Sequence, residues 1–138
     1  MATLIDSSVV IEAQRGRLDL RRVAESSSDA TLAISAIAAS ELLVGLHLMR
    51  DGAKRARAEA FVEAVLADLP IIPFDLLCAR AHAVLGAELR RRGAIVGAHD
   101  LLIAATAVAR GFSMATSDER RFSRIPGLKV DLFPARSS

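Results

Sequence analysis

The chain has 138 residues, 52% apolar and 25% charged, the balance of a globular domain with a real core; this composition excludes a disordered or collagen-like chain. Lys and Arg total 18 against 16 acids, a formal charge of +2, and all but Lys54 and Lys129 of the cations are Arg, whose forked group suits phosphate and carboxylate. A single cysteine, Cys78, excludes an internal disulfide and a thiolate zinc cage, five Phe without Trp or Tyr oppose a platform of stacked aromatics, and no apolar run approaches a membrane span.

The opening segment MATLIDSSVV lacks the basic start and long apolar stretch of a secretion signal, which predicts a cytoplasmic protein. Thr3-Leu4-Ile5 is a β-prone run ending at Asp6, and Ser7-Ser8 offers N-cap chemistry for a helix to about Gln14. Gly16 stops that helix. Leu18, Leu20 and Val23 mark a short second one, and Ser26-Ser27-Ser28-Asp29 reads as a loop. Thr31-Leu32-Ala33-Ile34 predicts a second buried strand, after which Ser35 caps a helix to about Met49, broken by Asp51-Gly52. A helix over 53–68 places Phe61, Val65 and Leu69 on one face. A third strand over 69–74 carries Pro70 and Pro73, which favour a sheet edge. Asp75 opens a long helix to Arg92, closed by Gly93. The segment 101–110 is apolar nearly all round, as in a helix buried within a fold, and strands follow over 112–115 and 129–133.

Strands alternating with helices throughout predict a single α/β domain over 1–138, an α/β/α sandwich with a mainly parallel sheet of four to five strands. Ligands of such sheets bind beyond the carboxyl ends of the strands, so acids just past strand ends or at helix starts become candidates. Asp6 follows strand one, Asp118 follows strand four, and Asp100 lies in the first turn of the buried helix. Taken singly, each has an ordinary structural use as a cap, a turn residue or an acid favoured by the helix dipole. Glu41 differs. It sits mid-helix with Ile37, Ala38, Val44 and Gly45 three and four positions away, and no cationic side chain lies within a helical turn of it. A carboxylate on such a face is costly unless it is paired or holds a cation. Four acids without His or Cys partners suit a hard ion, Mg²⁺ or Mn²⁺, and such a site runs phosphoryl transfer. Ser8 and Thr116 are placed to position water or a ligand.

These residues resemble a known family. Leu4-Ile5-Asp6-Ser7-Ser8-Val9 resembles the opening motif of PIN-domain ribonucleases, and Ile34-Ser35-Ala36-Ile37-Ala38-Ala39-Ser40-Glu41-Leu42 is similar to their second. Gly97-Ala98-His99-Asp100-Leu101-Leu102-Ile103-Ala104-Ala105 looks like the third, and Ala115-Thr116-Ser117-Asp118 like the fourth. All four stand in order, their acids spaced by 35, 59 and 18 residues. The subgroup most similar in size and order is the VapC-type toxins of bacterial toxin–antitoxin pairs. The resemblance implies a PIN-like domain acting as a Mg²⁺-dependent endoribonuclease, with Mn²⁺ as substitute. It also implies a structured RNA substrate such as tRNA or rRNA, a homodimer, and neutralisation by a cognate VapB-type antitoxin. By carry-over, Asp6, Glu41, Asp100 and Asp118 are the catalytic and metal-binding quartet, Asp6 and Asp100 touching the metal directly and Glu41 acting through water. Two departures stand out: Ser8 occupies a position where many relatives carry Asn, and Arg121 precedes Phe122 where another acid is common.

Arg90-Arg91-Arg92 can steer RNA by its phosphates, or offset the dipole at a helix C-terminus. Arg120, Arg121 and Arg124 share that dual reading. His99 is a candidate RNA contact or proton carrier, although a histidine at a helix start is more often an ordinary exposed residue. His47 and His82 read as helix-face residues and Cys78 as core. The apolar surface of 42–48 and 61–66 exceeds what a small sheet needs, and part of it suits a dimer or antitoxin groove. A PIN-like module that binds a partner on DNA with little nuclease activity is the competing function. A phosphatase with a strand-end Asp nucleophile fits less well, because Ser8 stands where its second acid belongs and Glu41 would have no use.

Overall fold

Strand β1 (Ala2–Ile5) is buried along its whole length, because it has hydrogen-bonded neighbours on both sides: β2 (Thr31–Ser35) and β4 (Ser113–Thr116). β3 (Ile71–Ile72) extends the sheet beyond β2 and β5 (Val130–Leu132) beyond β4. Every pairing is parallel in this computed structural model, which describes residues 2–27 and 31–137. Parallel neighbours require crossovers, and six helices supply them among the described residues. These are α1 (Ser7–Gln14), α2 (Leu20–Ser26), α3 (Ala36–Leu48), α4 (Ala53–Asp68), α5 (Leu76–Arg91) and α6 (Ala98–Arg110). A 3₁₀ turn, η1 (Glu119–Arg121), links β4 to the loop before β5. The predicted α/β/α sandwich with a parallel sheet is the architecture found, with five strands.

The core sits where strand and helix faces meet. Leu4, Ile5, Ile34, Ile103, Met114 and Phe122 are inaccessible or nearly so, each contributing about 1.5–3 kcal/mol by burial. Helix α6 is sunk into the fold along Ile103-Ala104-Ala105-Thr106-Ala107, as its apolar composition predicts, and begins one turn earlier than expected, at Ala98. Its end is set by Gly111, whose φ of 68° is the left-handed value glycine adopts freely.

Three local readings change. The cap of α1 is Asp6 rather than Ser7 or Ser8: its carboxylate accepts from the Val9 amide, and both serines are helical. β3 is only two residues long. Pro70 and Pro73 have no N–H to give a ladder, so pairing stops between them, and Pro70 contributes only its carbonyl, to the Ile34 amide. In the predicted loop over 26–29, Ser26 closes α2 and Ser27 caps it, whereas positions 28 and 29 lie outside the described residues.

Candidate active site

The strand order β3-β2-β1-β4-β5 reverses direction between β1 and β4, because the chain moves outward one way from β1 and then returns to its other side. At such a reversal the connections leave a crevice beyond the carboxyl ends of the two central strands. Asp6 is the first residue past β1, and its backbone N–H donates to Ala115 O in β4 at 3.1 Å. Thr116 ends β4 beside it.

Asp6 is fully inaccessible, and both its carboxylate oxygens are held. Ser8 Oγ donates to Oδ1 at 2.6 Å and Thr116 Oγ donates to Oδ2 at 2.6 Å, while the Val9 amide reaches Oδ1 at 3.2 Å. Burial pushes this carboxyl above its usual value; the Ser8 and Thr116 hydroxyls, the Arg121 charge and the Val9 amide offset that only in part. Ser8 also accepts from the Ser117 amide at 3.0 Å, and so joins the start of α1 to the end of β4.

Glu41 arrives from α3 and Asp100 from the first turn of α6; their side chains are 22% and 21% exposed, open enough to meet a ligand from solvent. Gly97 lets Asp100 fold back over the helix start, since a Cβ at Gly97 would lie 3.1 Å from Asp100 Oδ2. Ser7 Oγ donates to Glu41 Oε1 at 3.0 Å, and His99 Nδ1 stands 3.6 Å from Glu41 Oε2. Three acids from three elements thus converge: Asp6, Glu41 and Asp100.

At their centre is Arg121, from η1. Its Nε and Nη2 donate to Asp100 Oδ1 at 2.8 and 2.5 Å, Nη2 stands 3.3 Å from both Glu41 oxygens, and Nη1 is 3.3 Å from Asp6 Oδ2 and 3.1 Å from Ser7 Oγ. Burial opposes its charge, yet the hydrogen bonds it donates to Asp100 and the charges of Asp6, Asp100 and Glu41 hold its pKa above the usual value. The cation that Glu41 lacks on its own helix therefore comes from 80 residues further along the chain. Local spacing could not show this pairing. The legible signal was an arginine standing beside Phe122 where an acid is common.

Asp118 lies apart from this group. Its carboxylate caps η1 by accepting from the Arg120 amide at 3.1 Å and faces the Arg120 side chain at 3.5 Å. Its own amide donates to Thr116 Oγ at 3.1 Å. Arg90, Arg91 and Arg92 are exposed at the end of α5, and Arg92 pairs with Glu88 at 2.6 Å; no contact joins them to the acids among the described residues. A cleft of about 280 Å³ does adjoin Asp100, lined by Ile95, Gly97, Arg120, Arg121 and Arg124. On the other side, Glu41 opens onto a larger groove of about 680 Å³ between α1, α3 and α4.

The donor set of Asp6, Glu41 and Asp100 is all carboxylate oxygen, the chemistry that suits Mg²⁺ or Mn²⁺. Their spacing is that of a guanidinium: among the described residues no three acids or histidines stand together as ligands of one ion.

The sheet is parallel and five-stranded with acids gathered at its reversal point, and the family model of the PIN domain matches residues 3–128. The chain belongs to the PIN-domain family and, within it, to the VapC ribonucleases. It is 34% identical over 130 residues to Ribonuclease VapC1 of Rickettsia felis, covering 94% of this chain and 95% of that one. It is 32% identical to Ribonuclease VapC of Rickettsia bellii, with 99% of each chain covered. Among solved structures it resembles a chain of VapBC2 from Rickettsia felis bound to a promoter DNA fragment, with a TM-score of 0.82 and 28% identity over 96% of this chain and 99% of that one.

Proposed function

We propose that this protein is a metal-dependent endoribonuclease toxin that cuts structured RNA, such as tRNA or rRNA, and is silenced by a VapB-type antitoxin. The observation that carries the reading is the convergence of Asp6, Glu41 and Asp100 at the crevice between β1 and β4. Three carboxylates drawn this close repel one another, and a cation placed among them relieves that repulsion.

In this reading Asp6, Glu41 and Asp100 hold Mg²⁺ or Mn²⁺, and Asp118 has a lesser part because its carboxylate is committed to η1. The chemistry the ion supplies when bound is a lowered pKa for water and neutralised charge on the leaving oxygen. Ser8 and Thr116 fix the orientation of Asp6, and Ser7 fixes that of Glu41. Arg120 and Arg124, exposed on the cleft beside Asp100, meet the phosphates of the RNA; Arg90, Arg91 and Arg92 extend the basic surface, and His99 stands at the mouth.

The groove beside Glu41 supports the antitoxin reading. Its floor is apolar, with Val10, Leu42, Leu46 and Val62, and its rim is basic, with Arg15, Arg17, Lys54 and Arg57. An amphipathic segment with apolar anchors and acidic flanks fits such a surface. Exposed Leu76, Leu77 and Val84 on α5 suit a second copy of the chain, consistent with a homodimer. No helix among the described residues is long and apolar enough to cross a membrane. Action in the cytoplasm, by one domain spanning the chain, completes the proposal.

The test is incubation of total cellular RNA with the purified, antitoxin-free protein in Mg²⁺ or Mn²⁺, in chelator, and with Asp100→Ala in parallel. Discrete fragments that disappear with chelator and with the variant are expected. Fragments that persist in both would assign the cleavage to a contaminant and sink the proposal.

A further inference from the structure

We propose that Arg121 is a resident counter-cation of the carboxylate site, that its guanidinium and a divalent ion compete for Asp6, Glu41 and Asp100, and that its withdrawal opens the site for metal. This inference rests on the metal-dependent reading above and adds a control element to it. Four observations support it. One guanidinium reaches all three acids at once, so it fills the cation position rather than flanking it. Three carboxylates face one positive charge, which leaves negative charge in excess and keeps the site attractive to a more highly charged ion.

The third observation concerns the path out. Arg121 belongs to a three-residue 3₁₀ turn on the surface, with exposed Arg120 and Ser123 close on either side, and it also lines the cleft of about 280 Å³ beside Asp100. The side chain can therefore leave the carboxylates by rotating into that cleft, with no helix or strand displaced. Phe122, buried next to it, holds the backbone of the turn in place during such a rotation. Fourth, the withdrawn guanidinium would stand beside Arg120 and Arg124, where its planar fork matches a phosphate group. A phosphate in the cleft would then hold Arg121 away from the acids, so that an RNA phosphate and the divalent ion favour each other's binding.

The experiment is titration of the full chain with Mn²⁺, followed by the electron paramagnetic resonance signal of the free ion. Wild type is compared with Arg121→Gln, Arg121→Lys and Arg120→Gln. Removing the competing charge in Arg121→Gln is expected to tighten Mn²⁺ binding about tenfold or more. Arg121→Lys, which keeps the charge but loses the fork, should fall between that variant and wild type. Arg120→Gln removes one positive charge from the same turn, loses only a contact with Asp118 outside the cluster of Asp6, Glu41 and Asp100, and should change affinity by less than about twofold. A second readout needs no activity: metal-free Arg121→Gln should melt below metal-free wild type, and saturating Mn²⁺ should raise its melting temperature more than it raises that of wild type.

Equal Mn²⁺ affinity in wild type and Arg121→Gln, with both binding, overturns this inference and leaves the nuclease reading standing. Equal tightening in Arg120→Gln also overturns it, because the effect would then be general electrostatics. Absence of Mn²⁺ binding in all four proteins overturns both readings. If Arg121→Gln does not fold, Arg121→Lys against wild type decides the matter by the same criterion.

Discussion

Thr116 Oγ donates to Asp6 Oδ2 at 2.6 Å, a bond between the last residue of β4 and the first residue past β1. The two strands are neighbours in the sheet but lie 110 residues apart in the chain. Together with the Ser8 hydroxyl on Oδ1, this bond leaves the buried carboxylate no freedom to rotate. Thr116→Val keeps the shape of the side chain and removes the donor. Cleavage and Mn²⁺ affinity are expected to fall by about 10–100-fold, the range for groups that orient a ligand. Circular dichroism should show the fold intact, and titration with Mn²⁺ alongside the cleavage rate checks the prediction.

Glu41 is held by Ser7 and Arg121 at the surface end of its helix face and makes no contribution to the core. Glu41→Ala should therefore fold, with a helical spectrum like that of wild type, and lose cleavage. A collapse of secondary structure in this variant would assign the acid to the scaffold instead.

Asp100 and Asp118 separate the centre of the site from its edge. Asp100→Ala removes a carboxylate from the cluster and should abolish detectable cutting. Asp118→Ala removes a cap from η1 and should lower the rate by about tenfold, the lower end of the effect of an outer group. Parallel rate measurements on one RNA decide between them. Equal losses would show that Asp118 turns inward when the site is loaded.

Phe122 carries the turn that presents Arg121. It is 1% exposed and fully packed, so Phe122→Ala should cost about 3–5 kcal/mol, the usual range for emptying an aromatic site in a core. Urea denaturation measures it.

Asp75 links stability to pH. It caps α5 by accepting from the Cys78 amide at 3.1 Å and pairs with Arg110 at the end of α6 at 2.7 Å. The Cys78 amide first, and Arg110 after it, hold this carboxyl below its ordinary value of 3.8. A carboxyl with a lowered folded pKa contributes stability above its unfolded value, and that contribution fades as pH falls through the folded one. Asp75→Ala should therefore melt below wild type at pH 7, and the gap should narrow once the pH drops under 3.8. Thermal melts at the two pH values test the sign.

Much of this molecule was legible in the chain because the relevant forces act over a few residues. Asp75 and Ser35 cap their helices, Gly93 closes one, and the prolines at 70 and 73 confine a strand to the edge. Those effects are backbone geometry and short hydrogen bonds, and the alternation of β-prone runs with helices then implies a parallel sheet. Asp6 and Asp100 were legible as candidates for the same reason: a sheet of this kind places strand ends and helix starts at one edge.

What joins one end of the chain to the other was decided by the tertiary structure. The sequence shows Glu41 without a cation within a helical turn, yet its partner is Arg121, delivered by the return of the chain along β4. It shows Asp118 past a strand end, like Asp6, yet η1 turns that carboxylate toward Arg120. Helix periodicity and capping act over three or four residues, so the sequence shows them directly. Charge pairing acts through space, and its partners are chosen only once the sheet has closed β4 against β1.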